Sequence, residues 1–145
     1  MAYPTVSAPY GFQPINRIGG TPYAGSTRLI PLDSGAVYDG DLVEMLDTGK
    51  CKVIASGTSA AHTVGVCVGV QYTNSMGQTV QAQYAPASGV TNVVAYVVDD
   101  PTVLFKVAVC SATTVMSSVG RTAVGQNAEV ILNSGNANTG DSAQA

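Results

Sequence analysis

Charge is the first thing this sequence lacks. Asp, Glu, Lys and Arg together make up 10% of its 145 residues, against about 25% in an ordinary soluble domain. Six basic residues against nine acidic ones leave a net charge of −3, so there is no positive field for a phosphate backbone and no nucleic-acid partner is expected. Tryptophan is absent and His62 is the only histidine. A Ser-His-Asp relay would have to run through His62, which lies in a turn-like stretch, and no Gly-x-Ser-x-Gly nucleophile turn occurs. A zinc site would also want more imidazole. Cys51, Cys67 and Cys110 contain no Cys-x-x-Cys pair and sit among Val, Ala or Lys, the setting of small buried hydrophobes. Long apolar runs are missing too. The densest covers residues 93–98, far short of the ~20 residues of a membrane-spanning helix. Residues 1–6 carry no basic residue and no apolar segment, so they do not read as a secretory signal. The expectation is a chain made in a cytoplasm, with no membrane partner.

What is present is valine, glycine and proline. Hydrophobic residues reach 46%, which excludes a disordered chain, and the length fits one domain. Residues 1–27 interleave Pro4, Pro9, Pro14 and Pro22 with Tyr3, Tyr10, Phe12 and Tyr23. Proline at this density forbids a long helix or a central strand. The region reads as an extended arm with aromatic anchors, able to fold back on its own domain or to cross to a neighbour, the second being the favoured expectation. The candidate partner-binding residues are Tyr3, Pro9, Tyr10, Phe12, Pro14 and Tyr23.

Residues 28–132 read as strands of one domain. Residues 41–47 lead to a turn at Asp47-Thr48-Gly49-Lys50, and Cys51, Val53 and Ala55 alternate beyond it, predicting a hairpin. Val64, Val66, Val68 and Val70 alternate with Gly65, Cys67, Gly69 and Gln71, a clean period of two. The glycine face predicts a close backbone approach or a bulge. Residues 78–84, 90–98 and 102–109 supply further strands, the last two split by the turn former Asp99-Asp100-Pro101. Ala128-Glu129-Val130-Ile131-Leu132 reads as a final strand, and residues 133–145 as a flexible polar tail or linker. Short, evenly spaced strands without a long amphipathic helix predict an all-β fold, a small β-barrel or β-sandwich with an extended N-terminal arm.

The chemistry-bearing groups are few. Asp39, Asp41, Glu44 and Asp47 cluster, but their spacing does not match a calcium loop, and strand alternation sets Asp41 and Glu44 on opposite faces. They read as solvated loop and edge charges. Gly19-Gly20 lacks the Lys and helix of a phosphate cradle. Small trimeric all-β nucleotide hydrolases of this length carry an Arg-Ser-Ser or glycine-rich phosphate motif, which is missing. No catalytic residue, metal site or cofactor is expected, and the chain does not read as an enzyme.

Five motifs stand in a definite order: Pro9-Tyr10-Gly11-Phe12-Gln13-Pro14-Ile15 followed by Gly20-Thr21-Pro22-Tyr23-Ala24-Gly25, then Gly40-Asp41-Leu42-Val43, Val66-Cys67-Val68-Gly69-Val70, and Asp99-Asp100-Pro101-Thr102-Val103-Leu104-Phe105-Lys106-Val107. In this order they resemble the small structural proteins encoded beside capsid genes in tailed phages, many of them marine, which are similar to capsid decoration, or cement, proteins. The resemblance covers residues 9–132. It implies a β-rich virion protein on the outside of an icosahedral shell, bridging neighbouring copies of the major capsid protein, with sister copies as further partners and a trimer as first choice. It implies no catalytic residues. An adhesion or glycan-binding module of a fibre or spike, or another head or tail subunit, is the alternative expectation. The charges gather in residues 33–52 and 99–106, leaving Arg17 as the arm's single charge. A surface so bare reads as one meant to be covered.

Overall fold

A computed structural model describes residues 9–55, 62–112 and 115–145. Tyr3 and Pro4 lie outside the described residues. Among the described residues ten strands follow one another: β1 (Gln13–Arg17), β2 (Arg28–Pro31), β3 (Leu42–Met45), β4 (Cys51–Val53), β5 (Thr63–Asn74), β6 (Thr79–Ala82), β7 (Val90–Val98), β8 (Val103–Lys106), β9 (Cys110–Ala112) and β10 (Val115–Met116). The main sheet is antiparallel, in the order β2-β7-β5-β3-β4, with β6 on the second half of β5. The all-β class is as expected. The strands do not close into a barrel, however. The two ends of the main sheet are joined by an isolated parallel bridge, Leu32↔Cys51, rather than by a continuous ladder.

The long strand β5 organises this sheet. Its valines are stiff at χ1 and suit a pleated surface. It pairs with β7 along one edge, and with β3 and then β6 along the other. Its burial departs from the strict alternation of the sequence: Val66, Cys67 and Val70 are buried while Val68 is half-buried. The cause is a register shift against β7 between Cys67 and Val70. A bulge inserts a residue and resets which face follows. The two glycines divide the predicted uses. A Cβ on Gly65 would strike the Val98 carbonyl, a close backbone approach, whereas Gly69 lies within the bulge and has only ordinary contacts around it.

The β3–β4 hairpin forms as predicted. Leu46 N–H donates to the Lys50 carbonyl (2.8 Å) and Gly49 N–H to that of Leu46 (3.0 Å), with Gly49 at φ +76°. The core holds Ile30, Leu32, Val37, Val43, Cys51, Cys67, Val70, Ala85, Ala95 and Val97. No aromatic ring is among them, so the cluster rests on branched aliphatic packing.

Three expectations need correction. The arm, from Pro9 onward, lies on its own chain: β1 pairs with β8 as a separate two-stranded ribbon. Residues 128–132 form no strand; Ile131 exchanges two backbone hydrogen bonds with Ala145, at 2.7 and 3.1 Å. Residues 141–145 are no loose tail, because Ser142 and Gln144 are each 1% exposed. Polar backbone and amide groups can enter a core when every one of them finds a partner, and composition does not reveal that.

Candidate interaction surface

The sequence motifs converge on one hub. Gly11 and Gly40 both take positive φ (+73° and +93°), and a Cβ on Gly11 would lie 2.5 Å from that of Ser142 and 2.7 Å from the Gly40 carbonyl oxygen. Only glycine admits this approach. Phe12 N–H donates to the Gly40 carbonyl (3.0 Å), Gly40 N–H to that of Cys67 (2.7 Å), and Cys67 N–H to that of Asp41 (2.8 Å). The C-terminal segment completes the hub. Gly11 N–H donates to the Gln144 carbonyl (3.1 Å), Leu42 N–H to Gln144 Oε1 (2.9 Å), and Ser142 N–H to the Asp39 carbonyl (2.8 Å). Gln144 had no signal in the sequence.

The expected anchors serve this architecture. The Phe12 ring packs edge-on against Phe105 with centroids 6.5 Å apart. Tyr10 lies under Lys106, whose Nζ is 5.2 Å from the ring centroid. Pro14 faces Phe105 across the ribbon, and Pro9 is half-buried. Tyr23 donates to the Ser26 carbonyl (3.2 Å), and burial pushes its hydroxyl above the usual tyrosine range. Tyr10, Phe12 and Pro14 thus hold the arm to its own domain.

Asp41 and Glu44 are also corrected. Both are buried rather than solvated, at 2% and 4% exposure. Glu44 is paired with Lys52 (3.2 Å). Asp41 Oδ2 accepts from Tyr38 N–H (2.9 Å), while Oδ1 has no partner of good geometry among the described residues. Burial pushes this carboxyl up to about 6; Ser142 and the Tyr38 N–H oppose the rise, and Asp39 adds to it. Asp39 is raised as well, by burial and then by Asp141. Among the described residues, no group of three or more His, Cys, Asp or Glu is placed to hold a metal ion. Beside Asp41 lies a cleft of about 450 Å³ lined by Tyr38, Ile54, Asn133 and Gln144. Two of its polar groups are engaged internally: Asn133 Nδ2 donates to the Ala143 carbonyl (3.1 Å) and Gln144 Oε1 accepts from Leu42 N–H. The Tyr38 ring is stacked on Tyr84 at 5.5 Å.

Cys51 and Cys67 are buried free thiols, pushed up by burial to about 11 and about 12. Such thiols hold their protons and are poor nucleophiles. His62 is exposed at the start of β5.

No family model, curated protein or solved structure matches this chain. The ribbon has two faces. Phe105 turns one inward toward Phe12, and the other carries Leu104, whose partner across the ribbon is Asn16, next to Ile15 at the register shift. There Ile15 is 49% exposed, Leu104 45% and nearby Ile18 67%. The flanking charges cancel in pairs, Arg17 with Asp100 (3.2 Å) and Arg28 with Asp99 (2.8 Å). The result is an outer face on which Ile15, Leu104 and Ile18 stand exposed beside Gln13, Asn16 and Lys106, on a ribbon pinned from beneath. Sequence reading looked for contacts among the aromatics and missed these aliphatic residues, because only the pairing of β1 with β8 shows which side of the ribbon stays uncovered.

Proposed function

We propose that this chain is a structural virion protein that binds the outer surface of an icosahedral phage capsid. It stabilises the shell by bridging neighbouring copies of the major capsid protein. The observation that carries this reading is the exposed ribbon face of Ile15, Ile18 and Leu104, with Arg17 and Arg28 paired to Asp100 and Asp99. Burying side chains of this type contributes roughly 1.5–3 kcal/mol each, and a lattice multiplies a modest contact through avidity. The ordered motifs support the same reading, since their resemblance is to shell-decorating proteins. The chain acts by adhesion, with no catalytic step.

The arm sets the design of the test. Deleting residues 1–25 would strip β1 from β8 and Phe12 from Phe105, so it would test folding. Substituting Ile15→Asp together with Leu104→Asp changes only the outer face. Wild-type protein mixed with empty shells should co-sediment in hundreds of copies and raise the temperature at which shells open. The double variant should stay in the supernatant with an unchanged circular dichroism spectrum. Saturation at a few copies per particle would instead favour an adhesion module at a vertex or tail, and undiminished binding by the double variant would remove the ribbon from the interface.

A further inference from the structure

Between Lys52 and Asp99 the sequence contains no Asp, Glu, Lys or Arg. This stretch builds β5, β6 and β7. Strands at a sheet edge expose unpaired N–H and C=O groups, and proteins commonly guard them with charge or proline. The other edges of this sheet follow that rule. Strand β2 carries Arg28 and Pro31, and β4 carries Lys52 and ends the sheet at the Leu32↔Cys51 bridge. Strand β6, Thr79-Val80-Gln81-Ala82, has neither guard, and among the described residues it pairs with β5 alone.

The register fixes what β6 offers. Asn74 N–H donates to the Gln78 carbonyl (2.9 Å) at the hairpin end. Bonded and non-bonded pairs alternate along an antiparallel ladder, so Tyr72↔Val80 and Val70↔Ala82 are the bonded pairs. Thr79 and Gln81 then direct their N–H and C=O groups away from β5, and both residues are exposed. The edge is held ready as a strand. Asn74 Oδ1 accepts from the N–H groups of Met76 and Gln78 (3.0 Å each), fixing the turn. Gln81 Nε2 donates to the Tyr96 hydroxyl (3.3 Å), which in turn donates to Gln71 Oε1 (3.1 Å), tying the edge strand across the sheet. Such ordering lowers the entropic cost of adding a strand.

We infer that the β6 edge pairs with β6 of a second copy of this chain, antiparallel about a two-fold axis through Val80. The occupant follows from self-complementarity. In this register Thr79 of each copy faces Gln81 of the other in a bonded pair, giving about four backbone hydrogen bonds. Val80 meets Val80 at the axis, where side chains stand closest. Nothing in the strand repels its own copy, because the charge-free stretch sets no like charges against each other across the axis. The two main sheets become continuous through the axis. This pairing goes beyond the shell-binding reading and does not rest on it.

The test uses the full chain. Sedimentation equilibrium should give a concentration-dependent rise from 14.7 kDa toward twice that mass. Val80→Lys sets two ammonium groups face to face at the axis, and Thr79→Pro removes an outward N–H; each should sediment as a monomer while retaining the wild-type circular dichroism spectrum. Val80→Cys should form a disulfide-linked dimer on mild oxidation, and Thr79→Cys should not, because its counterpart across the axis is Gln81. A wild-type monomer up to sub-millimolar concentration, a trimer, or equal crosslinking of the two cysteine variants would overturn the inference. Co-sedimentation of Val80→Lys with shells separates the two readings: shell binding that survives in a monomeric variant leaves the capsid proposal standing whatever the outcome here.

Discussion

Asp41 is the residue on which stability and pH meet. Its carboxyl is held at about 6 in the folded chain, against 3.8 for the ordinary group. The folded state therefore binds this proton more tightly than the unfolded state does. The ionised form is a burden at neutral pH, and its relief grows as pH falls from above 6 toward 4. Two units correspond to about 3 kcal/mol. Asp41→Asn keeps an oxygen for the Tyr38 N–H and carries no charge. Urea unfolding should find Asp41→Asn more stable than wild type near pH 7, with the difference shrinking by about 2–3 kcal/mol as pH is lowered to about 4. A difference that does not change with pH would mean that Asp41 is not ionised against a desolvation cost. The carboxylate of Asp100 moves the other way, lowered by the hydroxyl and N–H of Thr102, so it contributes the ordinary loss of stability on acidification.

Among the elements, the legible ones were those whose signal is local. Strand β7 spans Val90–Val98, the stretch marked by its run of β-branched residues between turn formers. The β3–β4 turn was readable because Gly49 must supply the positive φ. The glycines of β5 declared a close approach, and the Val98 carbonyl is what approaches. The ribbon was not readable, since Pro14 argues against a central strand and only the tertiary pairing with β8 gives β1 an edge to occupy. The C-terminal segment was hidden for a different reason. Ser142 and Gln144 look like linker residues, yet Gln144 is buried with its side-chain oxygen accepting from Leu42 N–H. Removing that amide tests the point. Gln144→Met keeps the volume and loses the acceptor for Leu42 N–H, which should cost about 1–3 kcal/mol in urea unfolding. Hydrogen exchange should quicken at Gly11 and Phe12 while the β5–β7 ladder stays protected. An unchanged midpoint would show that the hub does not depend on this side chain.

At the scale of the whole molecule, scarce charge is made scarcer by pairing. Arg17, Arg28, Lys50 and Lys52 each face a carboxylate, and Lys106 rests on the Tyr10 ring. The exposed pairs, Arg17–Asp100, Arg28–Asp99 and Lys50–Asp33, add little stability, but such pairing reduces the long-range field that would steer or repel a partner. Association through such a surface should be nearly indifferent to salt. Shell binding measured by co-sedimentation should change by less than about threefold between low salt and half-molar salt, where screening lengths fall well below 10 Å. A tenfold loss would point to an electrostatic contact and away from the apolar ribbon.

The bond from Leu42 to Gln144 joins residues 102 positions apart, and this separation has a kinetic meaning. Loop closure has to precede such a contact, and folds built on distant pairings form in milliseconds to seconds rather than microseconds. Until Gln144 seats, Gly11 and Leu42 lack two of their partners and the arm is held less firmly. A chain caught in that interval offers an incomplete ribbon face to any neighbour. The slow step thus acts as a clock: contacts that require the finished ribbon can begin only after the hub has closed.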